Sequence, residues 1–147
     1  MKNMTNETKV TFQIKGIDLV DIQMNQLKQP LPAQTTFHFN INLEQLINPE
    51  NKLVIVVATV VILHEDKTTI LASIKASCVF DVANFDEFIA EDTRKVNFPE
   101  SAIITFNSIT ISTVRGLMFS QFKGTHLHTA ILPVVDPSSF MKNLFNE

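Results

Sequence analysis

The chain has no tryptophan, no tyrosine, one cysteine and only three glycines among 147 residues. Each scarcity excludes something. Cys78 has no second cysteine with which to close an intrachain disulfide, whereas small secreted domains ordinarily rely on paired cysteines, so a reducing, cytoplasmic setting is expected. Three glycines, none in a phosphate-cradling pattern, leave no nucleotide loop. Charged residues make up 18% of the chain, the formal net charge is -3 and no block of like charge occurs, which argues against nucleic acid as a partner. Apolar runs are short as well. The longest, Leu53 to Leu63, falls well below the roughly 20 residues that cross a bilayer, and no signal-peptide-like apolar stretch follows Lys2.

What is present is phenylalanine, twelve in all, and a 45% hydrophobic composition that suits one globular domain spanning residues 1–147. Phe adds apolar area without the polar tip that Tyr and Trp carry into a core. The twelve rings are therefore core filling or, alternatively, an apolar binding surface. In the first half, apolar residues recur at every second position: Val10, Phe12 and Ile14, then, after Gly16, Val20, Ile22 and Met24. Period two predicts a strand, with a bulge or bend at Gly16. Pro30 and Pro32 interrupt it, and alternation resumes at Phe37, Phe39, Ile41 and Leu43 for a second strand covered on one face. Leu53 to Leu63 is apolar at both parities, which predicts a third, central strand buried on both faces. The connection His64-Glu65-Asp66-Lys67 leads to a fourth strand, Thr69 to Val82, paired with it as a hairpin.

After Asn84 the pattern becomes helical. Asn84 or Asp86 is a candidate cap for a short helix ending near Lys95. A longer helix is predicted to start with Pro99 in its first position and to carry Ile103, Phe106, Val114 and Leu117 on one face, with Gly116 and Gly124 as candidate ends or turns. Asp136-Pro137 is expected to cap a terminal helix containing Phe140, Met141 and Leu144. Strands followed by helices define an α+β domain: a four-stranded antiparallel sheet with two C-terminal helices packed on one face.

No catalytic set emerges from the remaining residues, so the chain is read as a non-enzyme. His126 and His128, two apart, would face the same way on a strand, but no further Cys or His lies near them to complete a metal site. His38 and His64 have polar neighbours. Cys78 sits among apolar positions with nothing nearby to lower its pKa. Asp81, Asp86 and Glu87 show no spacing of an acid/base pair. No metal or cofactor is expected.

Read in order, Thr11-Phe12-Gln13-Ile14-Lys15, Asp21-Ile22, Phe98-Pro99, Val114-Arg115-Gly116, Leu132-Pro133-Val134 and Phe140-Met141-x-x-Leu144 resemble the landmarks of the SecB export-chaperone family. The resemblance implies a homotetramer, a dimer of dimers, that holds unfolded preproteins in apolar grooves without nucleotide. It places Phe140, Met141 and Leu144 on a terminal helix bordering the groove, with Met24, Phe37 and Phe39 on strands nearby. The competing assignment for each is core or subunit contact. A docking surface for the motor ATPase SecA is implied at Asp21 and Leu71, although Asn25 and Ser73 stand where the family carries two further acids. That loss weakens the case for a basic partner and leaves a dedicated chaperone of one client, such as an antitoxin, as an alternative. A binder of small apolar ligands is a second alternative.

Overall fold

The computed structural model describes residues 8–143. Strands β1 (Phe12–Met24), β2 (His38–Asn48), β3 (Leu53–Leu63) and β4 (Ile70–Val82) form an antiparallel sheet of order β1-β4-β3-β2. A 3-10 turn (Phe85–Phe88), one long helix α1 (Glu100–Gln121) and a 3-10 segment (Pro137–Asn143) follow. The α+β class and the four strands match the sequence reading, but among the described residues there is one α-helix where two were expected.

The differences at the chain's later elements have local causes. Asn84 does not cap a helix, because its side chain is committed to the start of the sheet: it accepts from the Thr11 amide and donates to the Lys9 carbonyl. Only the Phe85–Phe88 turn forms, and the chain then doubles back through an Ile89–Val96 bridge and does not stay helical to Lys95. Pro99 sits one position earlier than predicted, as the extended residue just before α1 (φ −59°, ψ 147°). Gly116 lies inside α1, and it is Gly124, with φ +81°, that makes the turn after it. At Asp136 the expected cap is present, with the carboxylate accepting from the Ser138 amide and hydroxyl. Those bonds hold its carboxyl below the usual carboxylate range. The Ser139 hydroxyl donates back to the Asp136 carbonyl, and such competition for backbone groups favours a tight 3-10 turn over an α-helix. Leu144 lies outside the described residues.

Strand β1 carries two bulges, the expected one at Ile14/Gly16 and a second at Leu19/Asp21. Each bulge shifts the alternation by one residue. As a result Phe12, Ile14, Ile17, Leu19, Ile22 and Met24 all stand opposite residues of β4 that face α1. The β3–β4 turn is stapled by Asp66, which accepts from the amides of Thr68 and Thr69 and from the Thr69 hydroxyl. Those bonds hold its carboxyl well below the usual carboxylate range.

The core lies between α1 and the central strands. Val54, Val56, Ala58, Val60 and Ile62 of β3 are buried beneath the helix, and so are Ile74, Ala76, Cys78 and Phe80 of β4. The other face of β3, which was expected to be buried too, is only half-buried at Leu53, Ile55, Val57 and Val61, because a single helix covers a single face. By length and composition α1 would pass for a membrane-crossing helix, yet it packs on β3 and β4 as a core helix does. Six phenylalanines make the inner layer continuous. Phe106 of α1 lies 4.8 Å from Phe12, 4.7 Å from Phe80 and 6.1 Å from Phe98 between ring centres, and Phe98 continues to Phe85 and Phe88. Beside them is a polar flaw. Gln45 Nε2 donates to Asn107 Oδ1 at 2.7 Å, while the fully buried Asn107 Nδ2 has no partner among the described residues.

Phe106→Ala is expected to cost about 3–5 kcal/mol, as ring deletions in packed cores do. Asn107→Leu should change stability by less than about 1 kcal/mol, because removing an unpaired buried donor offsets the lost bond to Gln45. Urea unfolding followed by far-ultraviolet circular dichroism measures both.

Candidate functional site

The chain leaves the sheet at Met24 and is tied down at once. The Asn25 amide donates to the Leu71 carbonyl (3.0 Å), and its side-chain amide donates to the Ile70 carbonyl (2.8 Å). The loop that follows folds back through Leu27 and Leu31, both partly buried against the core, and turns at Thr35, whose hydroxyl donates to the Pro32 carbonyl. Between this loop and the segment after α1 lies a cleft of about 620 Å³, lined by Met24, Asn25, Gln26, Leu27, Gln29, Pro30, Leu31 and His126. Apart from the His126 imidazole its lining is aliphatic and amide, with no carboxylate and no lysine or arginine. Such a surface suits apolar side chains and polypeptide amides.

The segment after α1 forms the other wall. Gly124 turns the chain, Phe122 and Leu127 anchor it in the core, and Thr125 braces the turn by donating its hydroxyl to the Phe122 carbonyl. His126 faces the first cleft. His128, with Nδ1 2.8 Å from the Thr125 carbonyl, lines a second cleft of about 450 Å³ together with Phe119, Lys123, Gly124 and Thr125. The two histidines lie in a turn and not on a strand, and they line different clefts.

Of the candidate client-binding residues, only Met24, 40% exposed, lines the first cleft. Phe37, Phe39 and Phe140 are partly buried and pack against the core, which is the competing assignment stated for them. Met141 falls within the 3-10 segment, and Leu144 is beyond the described residues. The other residues of the cleft, Leu27, Pro30, Leu31 and His126, carry no shared sequence period that would group them, and of the two prolines that follow β1 only Pro30 lines it.

Asp21 is exposed on the face of the sheet away from α1, opposite Lys75 of β4, and accepts from the Gln23 side chain. Leu71 does not join it. The irregularity at Ile62/Leu63 leaves Leu71 unpaired between Ile70 and Ala72, and its side chain is completely buried. It is a core residue, so among the described residues Asp21 is exposed without it. Asn25, in place of one family acid, has the structural role described above.

The fold is similar to that of a solved SecB-like chaperone. A solved structure of the Mycobacterium tuberculosis SecB-like chaperone, in complex with a ChAD peptide from the HigA1 antitoxin, is similar to this chain with a TM-score of 0.62. The match covers 84% of this chain and 90% of that one at 15% identity. No family model matches the sequence, and no curated protein matches it. At this identity the likeness establishes the architecture, and the residues of the clefts are this chain's own.

Leu71→Asp, which places a carboxylate in the core, is expected to prevent folding. Asp21→Lys, on an exposed strand, should alter stability by no more than about 0.5 kcal/mol. Thermal unfolding of the two variants side by side measures the contrast.

Proposed function

We propose that the protein is a chaperone that holds non-native polypeptide segments without nucleotide, taking extended apolar stretches in the cleft between the Met24–Leu31 loop and the segment after α1. The observation that carries the reading is this cleft, apolar and amide-lined, on a fold also found in a chaperone solved with a peptide bound. Exposed apolar side chains elsewhere, among them Ile17, Val20, Ile70, Phe119 and Ile131, extend the same kind of surface. Apolar area of this sort tolerates many client sequences because its demands on shape are modest.

Two features favour a narrower client range than general preprotein export. The fold neighbour was solved with an antitoxin peptide. Here, also, Leu71 is buried and Asn25 and Ser73 replace acids, so only Asp21 remains of the surface implied for a motor ATPase. We therefore favour a chaperone dedicated to one partner, such as an antitoxin-like protein, over delivery to SecA. Assembly into a cytoplasmic tetramer is part of the proposal.

Because the chain lacks tryptophan, it contributes almost nothing to tryptophan emission, and the fluorescence of a Trp-containing client diluted from denaturant reports the client alone. Refolding of such a client should be suppressed at about one client per assembly without ATP, while light scattering gives a particle near four times 16.6 kDa. Met24→Glu should weaken that hold at least tenfold, by roughly 1.4 kcal/mol, at unchanged thermal stability. Unimpeded refolding in the presence of a monomeric protein would refute the general holdase. A small apolar dye saturating the cleft under those conditions would point to the small-ligand reading.

A further inference from the structure

The connection from the Phe85–Phe88 turn to α1 is tied down although it contains no long element. An Ile89–Val96 bridge closes it, the Ala90 amide donates to the Lys95 carbonyl (2.9 Å), and the Arg94 amide donates to the Ala90 carbonyl (2.9 Å). The Asn97 amide then donates to the Phe88 carbonyl (2.8 Å). Within this loop Arg94 has φ +57°, in the left-handed region that a residue with a Cβ occupies only where its surroundings hold it. The loop is therefore a fixed wall. Facing it, Gln45 of β2 is bonded to Asn107 of α1 at 2.7 Å, which sets the spacing of those two elements. One step along each of them, Ile47 and Ile103 line a third cleft, of about 360 Å³, together with the loop.

The lining of this cleft divides by chemistry. Ile47, Val96, Phe98 and Ile103 make its apolar part, with Phe98 buried and Val96 and Ile103 packed against the core. Thr93, Lys95 and Asn97, all exposed, make a polar rim of hydrogen-bond donors. Lys95 is the one charged residue of the lining, and no carboxylate is part of it. Nor is Lys95 neutralised from outside: the ion pair found among the described residues joins Lys52 to Asp86. Asp92 of the same loop lies outside the lining, and its carboxylate accepts from the Thr93 amide. A volume of this size belongs to small-molecule sites and does not admit a folded partner. An apolar recess under a positive rim is the complement of an aliphatic body that ends in a carboxylate.

We propose that this cleft binds a small aliphatic monocarboxylic acid, its chain laid against Ile47, Val96, Phe98 and Ile103 and its carboxylate accepting a hydrogen bond from Lys95 Nζ at the rim. The site opens near the start of α1, at the other end of the helix from the cleft that contains His126, and it stands independently of the chaperone reading. Because its walls are fixed beforehand by the loop and by the Gln45–Asn107 bond, the acid bears little of the cost of ordering them.

The test titrates octanoate, its neutral isostere octanamide and the cation octylamine into the full chain labelled with nitrogen-15, following amide resonances. Octanoate is expected to shift the amides of residues 93–98, Ile47 and Ile103, and to bind about fivefold tighter than octanamide, the gain from one ion pair at a solvated rim. Octylamine should bind more weakly than either. Lys95→Met, at an exposed position, should abolish the preference for octanoate while thermal unfolding stays where it was, and added salt should shrink that preference in the wild type. Ile47→Thr, which keeps a β-branched side chain on the strand, should weaken octanoate and octanamide alike. Equal affinity for octanoate and octanamide, a preference that survives Lys95→Met, or amide shifts confined to the clefts of His126 and His128 would each overturn the inference. So would a chain that binds none of the three probes at millimolar concentration, and none of these outcomes touches the chaperone reading.

Discussion

One contact organises this protein: a single helix laid across the middle of a four-stranded sheet, with Phe106 as its point of purchase. The ring of Phe106 touches Phe12 at one edge of the sheet, Phe80 in the centre and Phe98 at the entry to the helix, so one side chain connects the start, middle and later part of the chain. Six rings in contact make an apolar inner layer, and such a layer has few partners for the hydroxyl of Tyr or the indole N–H of Trp. The missing residue types are thus accounted for by the packing. So is the surplus of apolar surface. Helix α1 packs chiefly on β3 and β4, the open face of β3 stays half-buried, and Ile14, Ile17, Leu19 and Val20 of β1 are exposed among the described residues.

The sheet was legible in the sequence because period-two alternation is imposed by backbone geometry, and each strand showed it over enough residues to outweigh local noise. Even the first bulge of β1 was marked, by Gly16. The second, at Leu19/Asp21, was not, since a bulge needs no particular residue and is visible only once the partner strand is known. Helix α1 was found from its apolar spacing although it is rich in β-branched residues, because tertiary packing outweighs propensity. The terminal segment was misread for the opposite reason. Its apolar spacing suggested a helix, but Ser138 and Ser139 bond to Asp136 and draw the backbone into a tighter turn. The cleft was the least legible part. Its walls are loops whose residues share no period, and Met24, Leu31 and His126 become neighbours only through the path of the chain.

Leu71 shows how a resemblance can carry a residue type to the right place in the sequence and the wrong place in space. A single unpaired residue at the end of the β3–β4 hairpin turns that side chain inward, and no sequence pattern distinguishes an inward leucine there from an outward one. With Leu71 in the core, Asp21 is left facing Lys75 across the strand pair. An isolated exposed carboxylate beside a lysine has little field to offer a basic partner, because exposed charges in water interact weakly and are screened by salt.

The clefts and the segment 130–135 share a mode of construction that sets them apart from the sheet. Both walls of the larger cleft are held by side chains bonded to backbone: Asn25 to Ile70, Thr35 to Pro32, Thr125 to Phe122. Arg115 of α1 holds the segment 130–135 in the same way, donating to the Leu132 and Pro133 carbonyls. Each such bond contributes only about 1 kcal/mol net, so any one can open without disturbing the core beneath. Anchors such as Leu127 and Leu132, buried in that core, keep the loops in place while their rims adjust. The larger cleft thus combines fixed attachment points with a lining free of carboxylate, lysine and arginine. A rigid pocket with converging charged groups would instead select a single small molecule. The larger cleft has no such converging set, which favours the polypeptide reading proposed above.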